Sequence, residues 1–242
     1  MPSTVLHVAF ALLLAAGLLG SAFDRRAVVV VAAATTFPDL DVFVALVVES
    51  AHRAAFHTLL LPGAVALAVW LDVRREESWL RGRYGDQGVR LAWVALVCYV
   101  VAGIGLDAFT ALGANPLYPF YDQFVEIDGT VGYAAGDGVY QTFVNVTTDS
   151  AADGAGAGAG GSSGGDAGDG GPNIDVGQQG STDDVHVASG VDPQPGPEPR
   201  GVERVFPVVY RGWHVTLILA GALATWWRLR ESDGAGAHSD ER

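Results

Sequence analysis

Residues 4–22, TVLHVAFALLLAAGLLGSA, form an apolar run in which His7 is the one ionisable side chain. A run of this length can cross a bilayer as a helix. A secretory signal would carry basic residues ahead of such a run. Here Asp24-Arg25-Arg26 follow it instead, so a retained span is expected even though Gly20-Ser21-Ala22 offers small residues for cleavage. Further apolar runs at 27–37, 58–72, 91–106 and 213–227 alternate with short polar stretches. The run at 27–37 covers only about 16 Å at helical rise. It ends at Pro38-Asp39-Leu40-Asp41, which suggests a half-span, a polar turn and a short interfacial helix over Val42–Val48. The last run has Tyr210 and Trp213 at one edge and Trp226-Trp227 at the other, as interfacial aromatic belts do. The expected fold class is an all-α membrane protein with about five membrane-embedded helical segments.

Half of the 242 residues are hydrophobic, yet the formal net charge is -13. The two properties are separated along the chain, since 14 of the 27 acidic residues fall between Asp122 and Glu203. From Asp149 to Arg200 the chain is mostly Gly, Ala, Ser, Asp and Pro. Such a stretch buries too little apolar surface to offset its ordering entropy and is expected to be disordered and dispensable. The chain thus divides into a membrane-embedded core (1–128), a disordered acidic loop (129–204), a final transmembrane helix (205–230) and a polar tail (231–242). All 14 basic residues are Arg, and the lack of Lys beside abundant carboxylates suggests a halophilic protein. So acidic a surface argues against nucleic acid as a partner and leaves membrane lipids. Cys98 is the single cysteine, so no internal disulfide can form.

The arginines predict orientation. Arg25-Arg26, the 72–90 loop and the edge at Arg228 and Arg230 are expected on the cytoplasmic side of a plasma-membrane protein. The chain then starts outside and ends with a cytoplasmic C-terminus. The acidic loop, with its Asn145-Val146-Thr147 glycosylation triplet, falls outside.

Under this topology His7, Asp39, Asp41, His52, His57 and Asp107 all fall near the outer ends of their segments. Ionisable groups at membrane depth are costly, and imidazoles with carboxylates are ligands for zinc, manganese or iron. His52 and His57 lie about 140° apart on an ideal helix, so they can share a site only if the helix ends or bends between them. Blander roles exist for each residue. Asp39 and Asp41 can form a turn and cap a helix beside Pro38. His52-Arg53 can meet lipid headgroups, and Asp107 can cap a helix or pair with an arginine such as Arg211.

These residues, in this order, resemble the YdjM-like family of membrane-bound metal-dependent hydrolases. The matching elements are His7, Pro38-Asp39-Leu40-Asp41, His52-Arg53 with His57-Thr58, and Asp107 with Thr110, Gly113 and Pro119-Phe120. The family usually places a His four residues before the closing Asp, where this chain has Gly103. If that missing ligand is the only defect, a His restored at 103 is expected to raise metal affinity. The resemblance implies a divalent transition metal, zinc above all, held by His7, Asp39, Asp41, His52, His57 and Asp107. A carboxylate of Asp39 or Asp41 that is not fully engaged would serve as base, and Arg53 would hold an anionic substrate oxygen. It also implies a distant likeness to zinc-dependent phospholipase C, and hence hydrolysis of a phosphoester in a lipid or lipid-linked substrate at the outer face. The alternative is a non-catalytic membrane scaffold or sensor that retains a degenerate metal site.

Overall fold

The computed structural model describes residues 3–134, 138–143, 145–147, 173–175, 177–196 and 201–239. Helix α1 spans Thr4–Leu19, and its first turn is capped by the Ser3 hydroxyl, which accepts from the Leu6 amide. Helix α2 (Arg25–Thr36) is capped in the same way by Asp24. A 3-10 turn over Pro38–Leu40 follows, then the single turn α3 (Asp41–Val44), with a 44° bend between α2 and this pair. Residues 45–59 form turns. Helix α4 (Leu60–Val73) leads to α5 (Trp79–Cys98), which is kinked where Gly85 adopts φ 68°. A π-helical segment, Tyr99–Gly105, carries α5 into the short α6 (Leu106–Ala108). Helix α7 (Gly212–Ser239) closes the chain.

The core is built from small side chains. Ala11, Ala15, Ala16, Ala27, Ala95 and Ala102 are buried with Leu19, Phe23, Val31, Val94 and Cys98. Small residues let helix backbones approach, which is how helices associate where lipid tails remove the hydrophobic drive. α1 lies at the centre against α2, α5 and α7. It runs parallel to α7: Ser3 donates to the Val208 carbonyl at 2.8 Å, and Arg228 donates to the Ala16 carbonyl at 3.1 Å. A Cβ added at Gly221 would lie 2.3 Å from the Ala9 carbonyl oxygen, so glycine sets the spacing midway.

One end of the bundle collects arginines. Arg90 donates to the Leu18 carbonyl, Arg25 pairs with Asp233, and Arg26 lies over the Tyr84 ring. The opposite end receives the start of α1, the Pro38 turn, residues 45–59 and α6. Arg25, Arg26 and Arg90 thus stand at the end away from the candidate ligands, whereas Arg53 stands among them.

Fewer helices meet the length and apolarity of a full span than the five membrane-embedded segments expected. Among the described residues two helices, Thr4–Ala22 and Trp79–Ala108, are long and apolar enough to cross a membrane, or up to three if the bent pair is one span. α4 rises only about 21 Å, short of the ~30 Å hydrocarbon core. In α7 the uninterrupted apolar stretch is only Val215–Thr225, between Trp213-His214 and Trp226-Trp227-Arg228. The chain is also not purely helical. β1 (Phe124–Val125) pairs with β6 (Gln178–Gly180), β2 (Val131–Ala134) with β3 (Gly138–Gln141), and β4 (Asn145–Thr147) with β5 (Asn173–Asp175), all antiparallel. Much of the stretch expected to be disordered, residues 148–172, 176 and 197–200, lies outside the described residues. Of its described residues, 177–196 are laid against the core: Val185 and Val187 are buried with Ala54 and Phe124.

Candidate metal centre

Four separate pieces of chain bring the site together. α1 supplies Thr4 and His7, the 3-10 turn supplies Asp39, and α3 opens on Asp41. Residues 45–59 supply His52, Arg53 and His57, and α6 supplies Asp107. Because α3 ends at Val44, His52 and His57 do not share a helix, and the turns place their ring centroids 6.1 Å apart. All six predicted ligands therefore stand at one end of the bundle, in two groups.

The first group is His7, Asp39 and Asp107. Each offers a ligand atom, and these atoms lie within 4.8 Å of one another. His7 is 1% exposed, with Nδ1 3.7 Å from Asp39 Oδ1 and Nε2 3.7 Å from Asp107 Oδ1. Those distances are too long for hydrogen bonds, and neither ring nitrogen has a partner. A buried imidazole with both nitrogens unsatisfied costs free energy unless something fills the gap between it and the carboxylates. A divalent ion fits this spacing by taking one ring nitrogen and one oxygen from each carboxylate, whose charges it balances. Thr4 was not predicted. Its hydroxyl donates to Asp39 Oδ2, leaving Oδ1 turned towards His7. Its position three residues before His7, on the same helical face, was the available signal.

The second group centres on Asp41, which is fully buried. It accepts from Nδ1 of His52 and Nδ1 of His57, each at 2.8 Å, and more weakly from the Phe56 amide at 3.4 Å. His57 reaches on through Nε2 to Asp107 Oδ2 at 3.0 Å. Donating at both nitrogens requires a doubly protonated ring. Burial works against that charge, but the Asp41 carboxylate and hydrogen bonds to Asp107 and Asp41 outweigh it and hold His57 up to about 10. In this arrangement His57 has no lone pair to offer and links the two groups through Asp107.

Arg53 is 1% exposed and has φ 62°, an uncommon conformation for a side chain of its size. Its Nη1 donates to Thr110 Oγ1 at 2.9 Å and to the Gly113 carbonyl at 3.0 Å. Nη2 lies 2.7 Å from Asp107 Oδ1, yet the pair is poorly aligned as a hydrogen bond, and Nε lacks a partner too. Arg53, rather than Arg211, is thus the arginine beside Asp107, with Nη2 ion-paired to it and Nε buried without a partner.

Gly103 packs where the resemblance expects a His. A Cβ there would lie 3.0 Å from Pro38 Cγ and 3.4 Å from the Thr35 carbonyl oxygen. The Pro38 ring fills that side of the π-helical segment, next to Asp39.

Asp39, His52, Arg53 and Asp107 line a cleft of about 640 Å³. Its other walls come from the start of α1, from Thr36–Phe43, and from residues 188–193 and 203–210. Those last two segments were not predicted to approach the site, because their composition signals a loop and carries no chemistry of its own.

A family model described as "YdjM inner membrane protein" matches residues 1–154, a stretch that holds all six candidate ligands and Arg53. No curated protein and no solved structure matches the chain.

Proposed function

The chain belongs to the YdjM inner membrane protein family, and on that premise we propose that it is a membrane-bound, metal-dependent hydrolase acting on a phosphoester of a lipid or lipid-linked substrate. The observation that carries the proposal is His7, buried with two unpartnered nitrogens between Asp39 and Asp107. His7, Asp39 and Asp107 would hold the ion, with Asp41 and His57 behind them and His52 at the cleft. A divalent ion such as zinc, manganese or iron supplies Lewis-acid activation of water and of a phosphoryl oxygen.

The chain's own groups do the rest. Arg53, anchored through Nη1 and paired with Asp107, puts its positive charge beside the cleft floor, where it attracts an anionic phosphoryl oxygen. Asp41 fixes the Nδ1 proton of His52, so Nε2 is the position that exchanges a proton. Nε2 takes the proton from water as its oxygen adds to phosphorus, and returns it to the alcohol oxygen as the old ester bond breaks. The positive-inside distribution of arginines supports a site at the outer face.

The test is metal analysis of purified protein beside hydrolysis of a phosphate-headgroup lipid. Wild type is expected to hold stoichiometric metal and turn over the lipid. His7→Ala is expected to lose both while still inserting. A wild-type protein that holds no metal after reconstitution with zinc, manganese or iron overturns the hydrolase and leaves the scaffold or sensor. Cysteine labelling tests the sidedness: residues 74–90 react from the cytoplasm and residues 125–200 from outside.

A further inference from the structure

Residues 177–208 lie beyond the stretch matched by the family, and their composition signals a loop. Val185 and Val187, however, alternate with His186, which sends both valines to one side. They are 6% and 2% exposed, packed with Ala54 and a fully buried Phe124 beside Tyr118. Polar ties fix the same limb. The Glu126 amide donates to the Gly177 carbonyl at 2.9 Å, and Thr182 donates through its amide and hydroxyl to Asp122 at 3.1 and 2.5 Å. A second limb, 203–208, is held to α1 by Ser3 and Val208. Arg204 joins the limbs by donating to the Gly190 and Val191 carbonyls. The Phe206 ring lies so close to Gly190 that a Cβ there would be 2.5 Å from it.

The two limbs therefore form a fixed wall over the candidate centre. Across the cleft stand Val5, Leu40 and Phe43, which are 48%, 41% and 57% exposed; Phe206 on the wall is 66% exposed. The floor is polar, formed by Asp39, His52, Arg53 and Asp107, and the sides are apolar. Val5 sits on a helix apolar enough to cross a membrane, and Leu40 and Phe43 on the bent pair, so the bundle side of the cleft is built from candidate membrane segments. A water-soluble substrate would leave these side chains wet, whereas a hydrocarbon chain covers them.

We propose that residues 185–193 and 203–208 complete a cleft for one hydrocarbon chain of a membrane lipid, whose anionic headgroup lies at Arg53, and that Phe206 and Phe43 determine this preference. The inference rests on the proposed hydrolase only for the fate of the headgroup.

The experiment uses the full chain in nanodiscs containing phosphatidic acid with a photoreactive diazirine midway along one acyl chain. After irradiation, label is expected on peptides containing Leu40–Phe43 and Val205–Val208. Unlabelled phosphatidic acid is expected to compete, and glycerol phosphate is not. Phe206→Asp is expected to weaken labelling about tenfold or more, the worth of one buried aromatic side chain. The milder Phe206→Ala moves it in the same direction if the aspartate disturbs folding, and bound metal is unchanged in both. Label confined to outward faces such as Leu219 and Leu223, or unaffected by either variant, overturns the inference. So does equal competition by glycerol phosphate. Turnover followed in the same samples separates the two ideas. Specific labelling without turnover removes the hydrolase and keeps the cleft, while turnover of water-soluble phosphoesters untouched by Phe206 variants does the reverse.

Discussion

Replacing Gly103 by His tests whether this site lacks a ligand or has been closed over the place of one. Added to the structure, the Cβ alone would lie 3.0 Å from Pro38 Cγ and 3.4 Å from the Thr35 carbonyl oxygen. Pro38 is fully buried, so its ring can give way only by a few tenths of an ångström before the Asp39 turn moves with it. For Gly103→Ala two terms oppose each other. Alanine gains about 1 kcal/mol over glycine in helical backbone, and the tight contact costs a similar amount, so the net change is near zero. Gly103→His has no such balance, because the imidazole extends into space that Pro38 occupies. Overpacking of this kind costs about 1–3 kcal/mol. The displaced turn also carries Asp39, so bound metal falls with stability. Unfolding in mixed micelles titrated with sodium dodecyl sulfate gives the stability, and elemental analysis gives the metal. The expected order is wild type and Gly103→Ala together, with Gly103→His below both. A Gly103→His protein of undiminished stability that binds more metal than wild type would refute this packing account and restore the simple missing-ligand view.

Three other predictions follow from single contacts. Thr4→Val removes the donor that holds Asp39 Oδ2 and is expected to weaken metal binding about 10–100-fold, as loss of an orienting partner does, measured by competition with a chelator. His57 titrates higher in the folded chain than its ordinary value, up to about 10. Its stabilising contribution is thus complete below about pH 6.5 and lost as pH rises through about 10. Stability of wild type is expected to fall between about pH 6.5 and about pH 10, while His57→Gln lacks this step; equal pH dependence in the two proteins counts against the doubly donating His57. Gly221→Ala drives a methyl group towards the Ala9 carbonyl and is expected to cost about 1–3 kcal/mol in the same titration, whereas Gly212→Ala, where a Cβ meets nothing within 4 Å, is expected to cost little.

Periodicity and charge made the membrane-embedded half of this chain legible. Apolar runs separated by arginine-rich turns are enough to place His7, Asp39, Asp41, His52, His57 and Asp107 at one end, since an ionisable side chain near a span terminus has only two ends to choose from. What the pattern cannot carry is the pairing within that end. Asp39 and Asp41 look alike in a Pro-Asp-Leu-Asp stretch. Yet the 3-10 turn directs Asp39 to His7 and the cleft, while α3 buries Asp41 between two imidazoles. Chain direction over three residues decides which carboxylate is free to meet a ligand, and no propensity scale resolves that.

The acidic loop shows a different limit. Its composition averages over residues that act separately, so two valines flanking His186 vanish among glycines and aspartates. Burying those two side chains on Phe124 and Ala54 is enough to seat a limb whose neighbours then shape the cleft. A segment of low overall hydrophobicity can dock through one short alternating motif when the core already presents an apolar hollow. The cost of ordering is then borne locally, by the strand pair β1–β6 and the Asp122–Thr182 ties, rather than by the whole loop. The candidate ligands come from the stretch matched by the family model, and one wall of the cleft beside them comes from residues beyond that stretch.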